Sequence, residues 1–193
     1  MWRHIGPAFR IMIVMTILFG FVYPGVVTGV CQILFPRHAE GSLIYVDGKI
    51  EGSRLIGQNF KGRRYFHPRP SAAGVEGYDP MDSGGSNLGP TSRALFERVK
   101  GSVARFRAEN PEYRGRIPAD LVTASASGLD PDISPASAEA QAERIARARG
   151  MSLSEVRRLI RENTSGRQLA FLGEPRVNVL ELNLALDRRQ SRR

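Results

Sequence analysis

Cysteine is almost absent: the 193-residue chain holds one, Cys31, so no intrachain disulfide can staple the fold. Histidine is nearly as scarce, and His4, His38 and His67 are too widely separated to form the His-x-x-x-His pair of a helical metal site. Charge is missing altogether from Ile11 to Phe35, IMIVMTILFGFVYPGVVTGVCQILF. A helix over that run of about twenty-five residues reaches roughly 37 Å, enough to cross about 30 Å of hydrocarbon with some tilt. A cleavable signal peptide has a shorter apolar core, about 7 to 15 residues, and a small-residue A-x-A-like site, and neither is present. Val30 stands before Cys31 where a lipoprotein signal would place Gly or Ala. The run is therefore expected to remain as one transmembrane helix, residues 11–35, between a short N-terminal segment, 1–10, and a soluble domain, 36–193.

What is present in excess is positive charge, a formal +9 with +7 of it after residue 35. The arginines are scattered among acids, the pattern of a solvated surface. No nucleic-acid motif or aromatic-plus-basic platform accompanies them, so no nucleic-acid partner is expected. Arg3 and Arg10 precede the span, whereas Arg37 and Lys49 are offset by Glu40 and Asp47 after it. Positive flanks stay inside, so the N-terminus is expected in the cytoplasm and the domain outside it. Within the span Pro24 removes a backbone donor and should bend the helix. Gly25 and Gly29 lie four apart on one face, a small-xxx-small pattern that lets another helix approach closely.

The remainder reads as an α+β soluble domain on this single N-terminal transmembrane helix. GSLIYVDGKIEGSRLIGQNF, from Gly41 to Phe60, alternates around Asp47-Gly48 and predicts a β-hairpin. Lys61 to Pro90 is rich in Gly, Pro, Ser and Asp and supports little regular structure, although Tyr65, Phe66 and Tyr78 point to packing. A helix is expected from Ser92 to about Ala108, with Thr91 as cap, and a strand within Ile117–Ala126. Ser134 as cap and Pro135 at the first helical position predict a helix to Arg149 before Gly150. Ser152 and Glu155 form a capping box for another ending near Thr164, which makes a helical hairpin. VNVLELNLALDRR satisfies both strand alternation and helical spacing, and helix is the expectation.

Few residues point to chemistry. Asp79, Asp82, Asp130 and Asp132 flank prolines and read first as turn aspartates. SGGSNLGPTS, Ser83 to Ser92, places adjacent glycines before a helix and is the one loop suited to an anion. It lacks the lysine of a P-loop, and no sequence pattern supplies a base for Ser83 or Ser86. A structural turn, a ligand or partner contact and a nucleophile all remain open for it.

GSLI at Gly41, LIGQNF at Leu55, YFHPRPSA at Tyr65, GGSNLGPTS at Gly84, IPADLVTASASGLDP at Ile117 and GEPRVNVLELNLALD at Gly173 occur in one order along the chain. Together they resemble the C subunit of the Kdp potassium-transporting ATPase, with Asp132 standing where that family usually has a histidine. The resemblance implies a noncatalytic subunit in the bacterial inner membrane, needed for assembly and activity. Its expected partners are a potassium-conducting subunit, a P-type ATPase catalytic subunit and the bilayer. It also implies a chaperone role that raises the catalytic subunit's ATP affinity, with ATP as the implied ligand. A domain outside the cytoplasm would not meet cytoplasmic ATP, which favours a structural role on the potassium side. Gly25, Gly29, Arg69, Ser71, Ser86 and Asn87 are the partner-contact candidates. The alternative is a membrane-anchored extracytoplasmic ligand-binding or hydrolytic domain that uses the Ser83 to Ser92 loop.

Overall fold

The computed structural model describes residues 2–190, and the chain divides into two compact units, Met1–Ser53 and Arg54–Arg193. In the first unit, α1 (Ile5–Ile17), a π-helical stretch (Leu18–Val22) and α2 (Tyr23–Leu34) join into one 30-residue helix with no buried residue in α1 or α2. It is long and apolar enough to cross a membrane. The helix begins at Ile5, ahead of the uncharged run, and so takes in Arg10. The wide π turn ends just before Pro24, whose missing N–H leaves the ladder one donor short at this place. Phe35 leaves the helical region at φ −134°, as a residue before proline must, and Pro36 opens the single turn α3 (Pro36–Ala39).

The expected hairpin follows, β1 (Leu43–Val46) against β2 (Lys49–Ser53), antiparallel, with Val46 opposite Lys49. Asp47 and Gly48 both take positive φ, 49° and 76°, the combination that matches a two-residue turn to strand twist.

The second unit is an α+β domain built on α4 (Arg93–Glu109), α5 (Pro135–Arg149), α6 (Leu153–Glu162) and α7 (Val179–Gln190). A small antiparallel sheet runs in the order β3 (Asp132–Ile133), β5 (Arg176–Asn178), β4 (Thr164–Ser165). The main core joins Ile145, Val156, Ile160, Val177, Leu182 and Leu186 with Phe66, the one large side chain that the irregular segment contributes. The helix starts read at Ser134 and Ser152 are made by side chains: Ser134 Oγ accepts Ser137 N at 3.1 Å and Ser152 Oγ accepts Glu155 N at 3.2 Å. Gly150 ends α5 in the left-handed region, φ 64°, with Met151 N reaching Ala146 O at 2.9 Å.

Three expectations shift. Ser92, not Thr91, occupies the cap position of α4, in extended backbone and with no side-chain cap bond. The 117–126 segment forms no strand; Ala119–Leu121 is a 3₁₀ turn. Asp120 is drawn to the start of α5, where its carboxylate accepts Ser134 N at 2.8 Å and Ser137 Oγ at 2.6 Å, and that anchor prevents an extended path. The final segment uses both of its periodicities in turn, strand over Arg176–Asn178 and helix from Val179.

Candidate functional site

The YFHPRPSA segment carries no strand, yet its backbone is paired almost as in a sheet. Asn183 on α7 accepts Phe66 N at 2.8 Å through Oδ1 and donates to Phe66 O at 3.0 Å through Nδ2. Gln141 on α5 does the same for His67, at 2.8 and 3.1 Å. Both amides are buried, so each satisfies a donor and an acceptor that burial would otherwise leave unpaired. Arg144, also buried, donates to Arg63 O, Tyr65 O, Gln141 Oε1 and Asn110 Oδ1, tying α5 to this segment and to the end of α4. Burial lowers its pKa to about 10, which leaves it charged at neutral pH. Arg149 adds a bond to Arg64 O at 2.6 Å, an ion pair with Asp187 at 2.8 Å and a guanidinium over the Tyr65 ring at 4.9 Å.

Past Pro68 the loop turns back on residues 125–130. Ser71 Oγ donates to Gly128 O at 2.7 Å and accepts Ala73 N and Tyr78 N. Tyr78 OH donates to Arg69 O at 2.9 Å, and burial, with Asp130 adding to it, raises that phenol well above its ordinary pKa, so it stays a neutral donor. Arg69 Nη1 pairs with Asp130 Oδ2 at 2.7 Å, while its Nε is buried without a partner among the described residues. Gly128 sits at φ 69° where a Cβ would lie 2.7 Å from both Ala73 Cβ and Gly84 O. The aspartates act as the turn reading expected, with Asp130 accepting Asp132 N and Asp79 accepting Met81 N.

Between this loop and α4 lies a cleft of about 560 Å3. Arg98, Ser102, Arg105 and Glu109, spaced three or four apart on α4, face Lys61, His67 and Arg69 across it, over a floor that includes Phe106 and Gln141. His67 Nδ1 meets Glu109 Oε2 at 3.1 Å and its Nε2 meets Gly62 O at 3.0 Å. The hydrogen bond from His67 holds the Glu109 carboxyl below its ordinary range, against the opposing effect of partial burial.

Of the residues singled out from the sequence, Arg69 and Ser71 line this cleft. Ser86 is half-buried and Asn87 exposed in the Ser83 to Ser92 loop, Asn87 at φ 49°, a conformation asparagine tolerates. Part of that loop is committed to the 126–127 backbone: Gly84 N and Ser83 Oγ both donate to Ser127 O, and a Cβ at Gly85 would lie 2.8 Å from Ala126 O. Its paired glycines thus serve close backbone approach. Gly25 and Gly29 belong to α2 in the first unit and are not among the residues that line the cleft; apart from the helix's own backbone, no described atom lies within 4 Å of where a Cβ would be. The cleft's other basic residues, Lys61, Arg98 and Arg105, were not singled out from the sequence. The Arg98, Ser102, Arg105, Glu109 stripe was visible there as a polar face of α4, and only the folded loop shows what it faces.

The family model described as "K+-transporting ATPase, c chain", KdpC, matches residues 5–188. The chain belongs to the KdpC family. A protein of Gemmatimonas aurantiaca named Potassium-transporting ATPase KdpC subunit is 54% identical over 187 residues, 97% of this chain and 94% of the relative. One of the same name from Beijerinckia indica is 54% identical over 189 residues, 98% and 95% of the two chains. A third, from Sorangium cellulosum, is 54% identical over 187 residues, 97% and 98%. As a KdpC-family member, the chain is a subunit of the potassium-transporting ATPase, and the apolar helix fits membrane anchoring.

Proposed function

We propose that this chain is a noncatalytic subunit of the ATP-driven potassium import complex, required for assembly and activity. Its partners in this reading are the potassium-conducting subunit and the P-type catalytic subunit, in the bacterial inner membrane. The observation that carries the proposal is the helix of the first unit. Among the described residues none of this helix is buried, and beyond the helix's own backbone the space beside Gly25 and Gly29 is open, as a surface awaiting another helix would be. The arginines before the span support an N-terminus inside and a domain on the potassium side. Hydrolysis by the Ser83 to Ser92 loop finds less support: Ser83 Oγ is committed to a backbone carbonyl, and among the described residues no histidine or carboxylate hydrogen-bonds to Ser83 or Ser86.

The family resemblance also implies a chaperone role that raises the catalytic subunit's affinity for ATP. The glycine-rich loop does not fit a triphosphate, since its Gly84 N–H and its close-packed Gly85 are turned inward and no Walker lysine follows. An effect on ATP affinity is therefore proposed to pass through contacts with the catalytic subunit.

The test is co-purification. The full-length chain, extracted gently from bacterial membranes, should bring down both large partners, and recovery of a lone chain would overturn the reading. Gly25→Leu with Gly29→Leu should reduce that recovery. Protease added to intact spheroplasts should cut the domain, whereas full protection would put it in the cytoplasm. Arg69→Ala and Asn87→Ala should impair transport more than thermal stability if those loop residues meet a partner; equal losses would make them structural.

A further inference from the structure

The cleft of the second unit holds more cationic groups than its own acids occupy. Glu76 is paired with Lys61 at 3.0 Å, Glu109 with His67 at 3.1 Å and Asp130 with Arg69 at 2.7 Å. Arg98 and Arg105 lie two turns apart on the same face of α4. Arg98 gives one bond to Ser71 O at 2.9 Å, and neither arginine forms an ion pair among the described residues.

We propose that this cleft receives an acidic segment of another chain of the same ATPase, carrying at least two carboxylates that Arg98 and Arg105 bind. The proposal rests on the reading above, in which the domain faces the potassium side of the complex. Guanidinium forks pair with carboxylates through two parallel hydrogen bonds. Seven residues of helix separate the Arg98 and Arg105 backbone positions by about 10.5 Å along the axis, a spacing that suits two carboxylates on one peptide better than one compact ion. A protein that admits a cation displays carboxylates at its entrance, because negative potential concentrates the ion there. Residues 36–193, with a net charge of +7 and a basic cleft, are its electrostatic complement. The cleft wall includes Pro68 and Pro70 on a segment already clamped by Gln141, so little ordering remains to be done on binding.

The test places a benzophenone-bearing phenylalanine analogue at Val75, a fully exposed residue lining the cleft, in the full-length chain in bacterial membranes. Illumination should give an adduct with another chain of the ATPase, mapped by mass spectrometry to a peptide with two or more Asp or Glu residues. Arg98→Glu with Arg105→Glu should cut adduct yield by about tenfold or more, and Arg98→Lys with Arg105→Lys should cut it less, the outcome for charge-assisted forks. Arg105→Gln alone, an exposed change, should lower the yield with an unchanged melting temperature and keeps the test open should the double variant fail to fold. An adduct confined to lipid, an adduct on a peptide without carboxylates, or an undiminished yield in these variants overturns the proposal. So does suppression of the adduct by millimolar inorganic phosphate or ATP, which would make the cleft a small-anion site. Co-purification of the ATPase with an undiminished adduct removes only this inference, whereas its absence removes the functional reading as well.

Discussion

Two halves of the second unit are ordered by different physics. From Pro135 to Gln190 the chain follows pattern: caps at Ser134 and Ser152, a left-handed Gly150, and apolar side chains from α5, α6 and α7 meeting in one core. From Arg54 to Asp132 only α4 is long. The rest is held by polar side chains buried where a strand or helix would ordinarily satisfy the backbone, with Asn183, Gln141 and Arg144 reaching in from the helical half. Irregular backbone can be buried only if each N–H and C=O finds a partner, and here the helices supply those partners. The cleft is built in the half that depends on them.

The comparison can be broken at several points. Arg144→Met should have the largest effect, about 3–5 kcal/mol lost in denaturant unfolding, because four acceptors lose a buried donor at once. It should also make the 61–78 loop sensitive to limited proteolysis. A loss well below that of a core truncation would mean the loop half is not held by this network. Leu182→Ala, in the apolar half, should cost about 3 kcal/mol by the same measurement, from transfer and cavity terms together. Next come two glycines that share a positive φ but differ in surroundings. Gly128→Ala should cost about 2 kcal/mol, from strain plus contacts with Ala73 and Gly84, whereas Gly150→Ala, with open space around it, should cost about 1 kcal/mol. Equal melting-temperature shifts would show that close packing adds nothing in the loop half.

The smallest effect is pH-dependent. Glu109 titrates lower in the folded chain than in the unfolded one, so its contribution is present above the unfolded range, about 4.3, and is lost as pH falls through the folded value. Wild type should therefore melt above Glu109→Gln at pH 7, with the gap closing below about pH 4. A gap independent of pH would assign Glu109 a packing role only.

Legibility in the sequence follows the same division. Asp47-Gly48, Ser134-Pro135, Ser152 and Gly150 carry local signals, since a turn or cap depends on residues a few positions apart, and the structure places each where its neighbours require. The Ile117–Ala126 segment misled because its apolar residues fit a strand, while the deciding contact is Asp120 with Ser134 and Ser137, more than ten residues away. Arg69 and Ser71 stood out in the sequence, but nothing local marked Arg98 and Arg105 as facing them.

By itself the sequence determined the membrane-length helix, the α+β character of the domain and the order of its capped helices, because hydrophobic length, periodicity and caps act over short stretches of chain. Only the tertiary structure decided that Gln141, Arg144 and Asn183 would hold the 63–67 backbone and that α4 would turn its arginines into a cleft against residues 61–78. Those pairings span tens of residues or more, and a buried polar group takes whatever partner the assembled fold brings to it.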